Sequence, residues 1–163
     1  MKLKFIEPSD IEDVVTIENK SFPEGVRESR EDLLKTMKDE KHIGILALSD
    51  SGSPIGYVVG SPAKNYDYLE HPEKKNDKMI YCQSIAVVEG ERNKGIGTNL
   101  YATFLLEAFK NGFEKECEHA YDGIIGFRKK FNPVVIRNEK EFYDNGEDAL
   151  LMENNLKRMI SRE

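Results

Sequence analysis

An apolar strand runs directly into a glycine turn and a helix in the middle of this chain. Ile85-Ala86-Val87 ends the apolar stretch, a polar turn carrying Arg92, Gly95 and Gly97 follows, and an amphipathic segment begins at once. Several free backbone N–H groups then converge at the positive end of the helix dipole. Such a turn binds a phosphate or pyrophosphate group.

The glycine spacing excludes two common phosphate-binding loops. A dinucleotide fingerprint needs a third glycine three residues after Gly97, where Leu100 stands, and a P-loop needs Gly-Lys-Ser/Thr after a longer loop. The run Arg92-Asn93-Lys94-Gly95-Ile96-Gly97 instead fits Arg/Gln-x-x-Gly-x-Gly/Ala, and it resembles the coenzyme A loop of the GNAT superfamily of N-acetyltransferases. The resemblance implies acetyl-CoA as cosubstrate, bound by Ile85, Ala86, Val87, Arg92, Asn93, Lys94, Gly95, Ile96, Gly97 and Thr98.

Three further segments match the same superfamily in the same order. Phe22-Pro23-Glu24 resembles the substrate loop of N-terminal acetyltransferases, and residues 125–131 resemble that branch's Ala-Ile-x-Phe-Tyr-x-Lys-Phe-Gly-Phe motif. Residues 142–152 are similar to the Tyr-Tyr-x-x-Gly-Glu-Asp-Ala-x-x-Met signature of ribosomal-protein alanine acetyltransferases. The resemblance implies substrate binding by Phe22, Pro23, Glu24 and Tyr143. It also implies an α/β (α+β) fold, a mixed, mostly antiparallel central sheet flanked by helices, in one domain spanning residues 1–163.

Two residues match positions that relatives use in proton transfer. By register, Glu116 falls on the strand position where this branch places a Glu or His near the amine, and Tyr81 lies eleven residues before Arg92, like a tyrosine of some relatives. The resemblance implies that both are catalytic. The other interpretations are that Glu114, Glu116 and Glu118 alternate toward solvent and that Tyr81 is a half-buried packing residue.

The chain departs from the resembling branch at Arg128, where a tyrosine usually stands. That tyrosine is often taken as the acid that protonates the leaving thiolate, and a guanidinium cannot donate a proton near neutral pH. We expect Arg128 to share a solvated face with Lys129 and Lys130. The alternative is that its charge stabilises the thiolate or contacts a CoA phosphate.

The amino-acid composition limits the classes of partner that this chain can bind. A chain of 163 residues with 39% hydrophobic residues buries one core, and a net charge of −6 with a pI near 5.3 argues against nucleic acid or an anionic membrane as partner. No apolar run approaches the roughly 20 residues of a membrane span, and the first residues lack a signal-peptide core. We therefore expect a cytoplasmic protein, either a monomer or a homodimer.

The cysteines and histidines favour neither a disulfide framework nor a metal. Cys82 and Cys117 lie in predicted strands, which favours two buried reduced thiols over a Cys nucleophile. No two of the three histidines, His42, His71 and His119, have metal-ligand spacing, so we predict no metal site.

Hydrophobic periodicity and capping signals predict the elements. Helices are predicted from a capping box at Ser9–Glu12 to Lys20, from Ser29 to Lys38, from Thr98 to Asn111 with Leu100, Phe104, Leu105 and Ala108 buried, and at 122–131. Strands are predicted at 3–6, 42–48, 55–60, 79–88, 115–121, 134–136 and 149–156, with a long mobile loop at 61–77.

The leading hypothesis is acetyl transfer from acetyl-CoA to the α-amine of a peptide or protein. An α-amine of pKa about 7.7–8.0 has a few hundred times more neutral form at pH 7 than a lysine at about 10.4, a difference of about 3.5 kcal/mol. The alternatives are the same chemistry on a small amine or polyamine, and a non-catalytic CoA-binding module. An open groove between residues 22–24 and 142–146 favours peptides, whereas a closed pocket favours small amines.

Overall fold

The computed structural model describes residues 1–69, 76–120 and 128–160, except for the side chain of residue 129. Its strands are β1 (Lys2–Phe5), β2 (Ile43–Leu48), β3 (Pro54–Pro62), β4 (Met79–Val87), β5 (Lys115–Ala120), β6 (Val134–Glu139) and β7 (Ala149–Asn155). Its helices are α1 (Ile11–Ser21), α2 (Arg30–Met37), α3 (Ile96–Lys110) and α4 (Leu156–Ile160).

These strands form one sheet that splits in the middle. The order is β1-β2-β3-β4-β5-β7-β6, and every neighbouring pair is antiparallel except β4 and β5. The parallel pairing covers only Met79–Tyr81 against Lys115–Cys117, although both strands continue further. The mixed, mostly antiparallel sheet is therefore confirmed, and β4 and β5 diverge to open a cleft beyond Tyr81.

Helices cover both faces of the sheet. α3 buries Leu100, Phe104, Leu105 and Ala108 against β2, β3 and β4, which confirms the predicted apolar stripe. On the opposite face, α1 and α2 bury Val14, Ile17, Leu33 and Met37 against Leu46, Tyr57 and Val59. Each such side chain contributes about 1.5–3 kcal/mol of burial free energy.

A β-bulge in β4 changes which residues face the cleft. Val59 pairs with Ser84 and Gly60 with Cys82, so Gln83 is an extra residue without an opposite partner. Gln83 and Ser84 consequently both lie on the α1–α2 side of the sheet. Gly60 is needed at this point, because a Cβ there would lie 2.2 Å from the carbonyl oxygen of Tyr81.

The two predicted helix starts have different outcomes. The hydroxyl of Ser29 accepts the N–H of Asp32 at 3.1 Å and caps α2, as predicted. The capping box at Ser9–Glu12 is wrong, since Pro8–Asp10 form a 3-10 turn and α1 begins at Ile11. There the Asp10 carboxylate accepts the N–H of Glu7 at 2.9 Å, so an aspartate rather than the serine satisfies the free backbone group.

Other boundaries shift where tertiary packing extends an element. β3 continues to Pro62, and Ala63, Tyr66 and Leu69 are buried against β4, so the predicted loop at 61–77 is wrong over its first part, while residues 70–75 lie outside the described structure. The last strand ends at Asn155 and the chain enters α4, which was not predicted. Tyr121 and most of the helix predicted at 122–131 also lie outside the described residues, and Arg128–Phe131 form a 3-10 turn.

The two cysteines are free and buried. Burial, with the charges of Glu118 and Glu116 nearby, raises the pKa of the Cys82 thiol. A raised pKa disfavours the thiolate that a Cys nucleophile needs. Within the described ranges, no helix is long and apolar enough to cross a membrane.

Candidate functional site

The glycine loop forms a pocket at the end of β4. A 3-10 turn at Glu89–Glu91 leaves the strand, and Gly95 at φ +81° caps α3 in the left-handed conformation that favours glycine. The side chain of Arg92 turns back and donates from Nε to the carbonyl of Val87 at 2.8 Å. This bond fixes the turn against the strand that it leaves.

The loop pocket has the geometry of an anion site. The first helical bond runs from the N–H of Asn99 to the carbonyl of Gly95 at 3.0 Å, so the N–H groups of Ile96, Gly97 and Thr98 have no helical acceptor. The pocket measures about 450 Å³ and is lined by Ser21, Phe22, Ile85, Ala86, Val87, Glu91, Arg92, Asn93, Gly95, Ile96, Gly97, Thr98 and Lys130. Of the residues expected to bind the cofactor, Lys94 does not line it and instead pairs with Glu91 at 3.0 Å.

A second, narrow cavity lies where β4 and β5 separate, and we call it the cleft. It measures about 30 Å³ and shares Phe22 and Ile85 with the loop pocket. Its other lining residues are Glu18, Val26, Glu28, Tyr81, Gln83, Ser84, His119, Arg128, Phe142 and Tyr143. The cleft therefore places a group of ionisable side chains next to the loop pocket.

Two glutamates form the acidic side of the cleft. The Glu18 carboxylate, only 1% exposed, accepts hydrogen bonds from the Tyr57 hydroxyl, the Ser84 hydroxyl (2.8 Å) and the backbone N–H of Glu28 (2.8 Å). Burial raises the pKa of Glu18, and these three donors oppose that rise. Burial and the nearby Glu18 charge raise the pKa of Glu28 to about 7.

The bulged Gln83 connects Glu28 to a third cavity. The amide oxygen of Gln83 accepts from the hydroxyls of Thr36 and Tyr66, so its amide nitrogen faces Glu28 and donates to Oε2 at 3.3 Å. On the other side of Glu28 and Gln83 lies a cavity of about 450 Å³, which we call the acidic pocket. It is lined by Glu28, Asp32, Lys35, Thr36, Asp39, Ser61, Asn65, Tyr66, Asp67, Tyr68 and Gln83.

Tyr81, predicted as catalytic, is paired with a histidine. Its hydroxyl lies 2.7 Å from Nδ1 of His119, whose Nε2 is 3.4 Å from a carboxylate oxygen of Glu139, and the ring of Phe142 stacks on the imidazole at 3.9 Å. Burial raises the pKa of Tyr81 well above its usual value, so the phenol keeps its proton at neutral pH. His119 had no metal-ligand spacing in the sequence, and only the strand register brings it to Tyr81.

Arg128 is not on a solvated face, and that expectation is wrong. Its side chain lies within the protein at 2% exposure, with Nε 2.7 Å from the Glu118 carboxylate, and it also lines the cleft. Although burial alone lowers the pKa of Arg128, the Glu118 charge raises it, so the guanidinium stays charged. The position held by a tyrosine in the resembling branch therefore carries a fixed positive charge here.

Glu116 faces away from the cleft. It is fully buried toward α3, where its carboxylate accepts hydrogen bonds from the Tyr101 hydroxyl and from the Asn154 amide at 3.0 Å. Burial, and next the Glu118 charge, raise the pKa of Glu116. The interpretation of Glu116 and Glu118 as solvent-facing is wrong, because both have zero exposure. The base role of Glu116 stays a prediction, and any such role passes through the groups that hydrogen-bond it.

Among the described residues, one group has side chains of the types that ligate metal ions. Ligand atoms of Cys82, Glu116 and Glu118 lie within 4.8 Å of one another. The charged guanidinium of Arg128 already pairs with Glu118 there. The raised pKa values of Cys82 and Glu116 also favour protonated groups rather than metal ligands.

The expected substrate residues divide into two groups. Phe22 is buried and lines both the loop pocket and the cleft, and Tyr143 lines the cleft. Pro23 and Glu24 are exposed and line neither cavity. The two loops that carry these residues meet, since the N–H of Asp144 donates to the carbonyl of Gly25 at 3.0 Å.

Known proteins share this fold. Arabidopsis thaliana NAA60 in complex with acetyl-CoA superposes with a TM-score of 0.76 at 19% identity, covering 96% of this chain and 98% of that chain. Ard1 from Thermoplasma volcanium gives a TM-score of 0.75 at 22% identity, covering 94% and 96%. This chain therefore has the same fold as these two structures.

A family model and one curated relative agree with the fold. The model of the acetyltransferase (GNAT) family matches residues 11–131, most of the chain, and this chain belongs to that family. An N-alpha-acetyltransferase of Sulfolobus acidocaldarius is 32% identical over 106 residues, and the match spans 62% of this chain and 62% of that protein.

Proposed function

We propose that this chain transfers an acetyl group from acetyl-CoA to the α-amine of a peptide or protein. The observation that carries the proposal is the junction at Phe22 and Ile85, which line both the loop pocket and the acid-lined cleft. A phosphate-bearing cofactor in the first cavity and an amine in the second would meet at this junction. Membership of the GNAT family supports the same reaction.

Acetyl-CoA fits the loop pocket through its phosphates and its amide groups. The N–H groups at the start of α3 bind the pyrophosphate. Beyond Tyr81, β5 no longer pairs with β4, so the backbone of Ile85–Val87 on that side is available to the pantetheine chain and to the thioester carbonyl. Hydrogen bonds to that carbonyl stabilise the oxyanion of the tetrahedral intermediate. Binding remote from the reacting atoms supplies orientation.

Tyr81 is our candidate for the proton donor to the leaving thiolate. Its raised pKa keeps the phenol protonated at neutral pH, and its hydrogen bond to His119 provides a route for the proton to be replaced. The charge of Arg128, also in the cleft wall, favours the thiolate electrostatically but cannot supply a proton. The two residues together take the place of the branch's usual tyrosine.

The preference for an α-amine rests on chemistry and on one relative. An α-amine is already partly neutral at pH 7, whereas a lysine is almost entirely charged. The relative from Sulfolobus acidocaldarius, at 32% identity, is an N-alpha-acetyltransferase. Phe22 and Tyr143 then provide the apolar and hydrogen-bonding contacts to the first residues of the peptide.

A small amine or polyamine is the second candidate acceptor. The hydrogen bond between Asp144 and Gly25 holds the two loops in contact. The acidic pocket has carboxylates of Glu28, Asp32, Asp39 and Asp67 among its lining residues and complements a cation. Both features favour a compact cationic substrate.

A CoA-release assay distinguishes these acceptors. The panel contains free N-terminal peptides, the same peptides with a blocked N-terminus and an internal lysine, and spermidine. We expect turnover with free peptides at pH 7 and its loss on blocking. Turnover with spermidine alone would replace the first candidate by the second. Tight CoA binding without turnover on any amine would identify a non-catalytic CoA-binding module.

A further inference from the structure

Glu28 lies between two cavities. It lines both the cleft and the acidic pocket, and among the lining residues only Gln83 shares that position. The cleft, at about 30 Å³, holds little more than one amino group, whereas the acidic pocket, at about 450 Å³, holds several atoms of an acceptor. Glu28 can therefore contact an amine that is held in either cavity.

Glu28 and Glu18 are held in different ways. Glu18 is buried and accepts three hydrogen bonds, from Tyr57, Ser84 and the backbone of Glu28, which is an arrangement for an ionised carboxylate with a fixed position. Glu28 is only partly buried, and its carboxylate is oriented by the Gln83 amide at 3.3 Å. The first is therefore structural, and the second is accessible to a substrate.

We propose that Glu28 is the general base for the acceptor amine and that Glu18 is a positioning residue that sets its basicity. This role rests on the proposed function. A Glu28 oxygen takes one proton from the ammonium group, and the freed nitrogen lone pair attacks the thioester carbonyl carbon. The C–N bond forms and the C–S bond breaks. The electron pair of the C–S bond stays on sulfur, and the thiolate takes one proton from Tyr81. The second proton of the nitrogen, lost as the intermediate collapses, returns to Tyr81 through His119, and Glu28 releases its proton to solvent.

The surroundings of Glu28 match this task. Burial and the Glu18 charge raise its pKa to about 7, near the pKa of an α-amine. The charged or titratable groups that share its two cavities are Glu18, Asp32, Lys35, Asp39, Asp67, His119 and Arg128. Four phenols, of Tyr66, Tyr68, Tyr81 and Tyr143, also line these cavities, and burial raises the pKa of each, so they stay neutral over the working range.

The test is the pH dependence of kcat/KM for a free N-terminal peptide with acetyl-CoA. For the wild-type chain, activity should rise with pH through about 7, because Glu28 must lose its proton to act. Glu28→Gln should lower kcat about 100-fold at pH 7, and the loss should shrink toward pH 9, where the amine is already neutral. Glu31→Gln, the same chemical change on an exposed residue of α2, is the matched control and should match wild type.

A second variant tests the tuning by Glu18. Glu18→Gln removes the neighbouring charge, so the rise of activity with pH should move to lower pH. If this buried change prevents folding, Glu28→Asp replaces it: the carboxylate remains, and part of the activity lost in Glu28→Gln should return together with the pH dependence.

The outcomes separate this inference from the proposed function. A wild-type chain that acetylates no amine overturns both. An active wild type whose pH profile is unchanged in Glu28→Gln overturns the base role alone. A higher KM at every pH with unchanged kcat also overturns it, because Glu28 would then only bind the ammonium ion. A loss in kcat that disappears at high pH supports it.

Discussion

The loop pocket and the cleft share Phe22 and Ile85 but are built in opposite ways. Most of the loop-pocket lining comes from one continuous stretch, residues 85–98, and its anion-binding groups are backbone N–H groups. The cleft takes its lining from α1, from the connection to α2, from β4 and β5, from Arg128 and from the turn before β7. Its chemistry lies in side chains, several of them ionisable.

This difference separates the energetics of the two sites. A backbone-built pocket requires mainly glycines and a helix start, and it imposes few charges on the interior. The cleft instead requires buried carboxylates and a guanidinium, whose desolvation is offset only by their mutual contacts. We therefore expect substitutions in the cleft to alter stability strongly and substitutions in the loop to alter ligand affinity.

The largest expected effect is at the buried ion pair. Arg128→Ala leaves the carboxylate of Glu118 buried without its cation and should lower the free energy of unfolding by about 3–5 kcal/mol. Urea denaturation monitors this loss. The double variant Arg128→Met, Glu118→Gln removes both charges and should be clearly more stable than Arg128→Ala. If both variants were equally stable, the charges of Arg128 and Glu118 would not be energetically coupled. The difference between the cleft and the loop pocket would then not be electrostatic.

The loop should show the reverse pattern. Gly97→Val places a branched side chain in the lining of the loop pocket and should weaken CoA binding about 10- to 100-fold, or about 1.4–2.7 kcal/mol, with little change in melting temperature. Gly90→Val is the control, because a Cβ there meets nothing within 4 Å and Gly90 does not line the pocket. Unchanged affinity by calorimetry in a folded Gly97→Val chain would contradict the assignment of the loop.

The smallest expected effect is the pH-dependent effect of the Glu28 charge on the free energy of unfolding. The pKa of Glu28 is raised on folding, from 4.5 to about 7, so its stabilising contribution is complete below pH 4.5 and is lost as pH rises through 7. Glu28→Gln should therefore increase the free energy of unfolding by about 1–2 kcal/mol at pH 8 and by almost nothing at pH 4. Urea denaturation at both pH values measures this, and an equal change at both would assign the effect to packing instead.

The same contrast explains what could be predicted from the sequence. The loop and its helix are contiguous, so the residues predicted to bind the cofactor, Ile85–Val87 and Arg92–Thr98, line one pocket except for Lys94, and their cofactor role stays a prediction. The cleft depends on tertiary geometry. The register of β5 directs His119 toward Tyr81 and Glu116 toward α3, and a motif carries no information on which way a strand residue points.

Charge partners were the least predictable feature. Arg128 stands beside two lysines in the sequence, which is typical of a solvated face. It is nevertheless buried, because its side chain pairs inside the protein with Glu118, ten residues earlier. Glu28 likewise had no sequence signal. Its importance follows from Glu18 and Gln83, which are brought to it only by the packing of α1 and by the bulge in β4.

The bulge at Gln83 shifts the alternation of side chains along β4 by one residue. Before the bulge, the even-numbered residues Ile80 and Cys82 point to α3. After the bulge, the odd-numbered residues Ile85 and Val87 point to α3, because Gln83 is one extra residue. The part of β4 before the bulge and the part after it thus alternate independently. A sequence change in one part leaves the side-chain orientation in the other part intact. A deletion of Gln83 would leave Cys82 and Ser84 adjacent and on opposite sides of the sheet, so Ile85 and Val87 would still face α3 and β4 would lose only the residue whose amide faces Glu28.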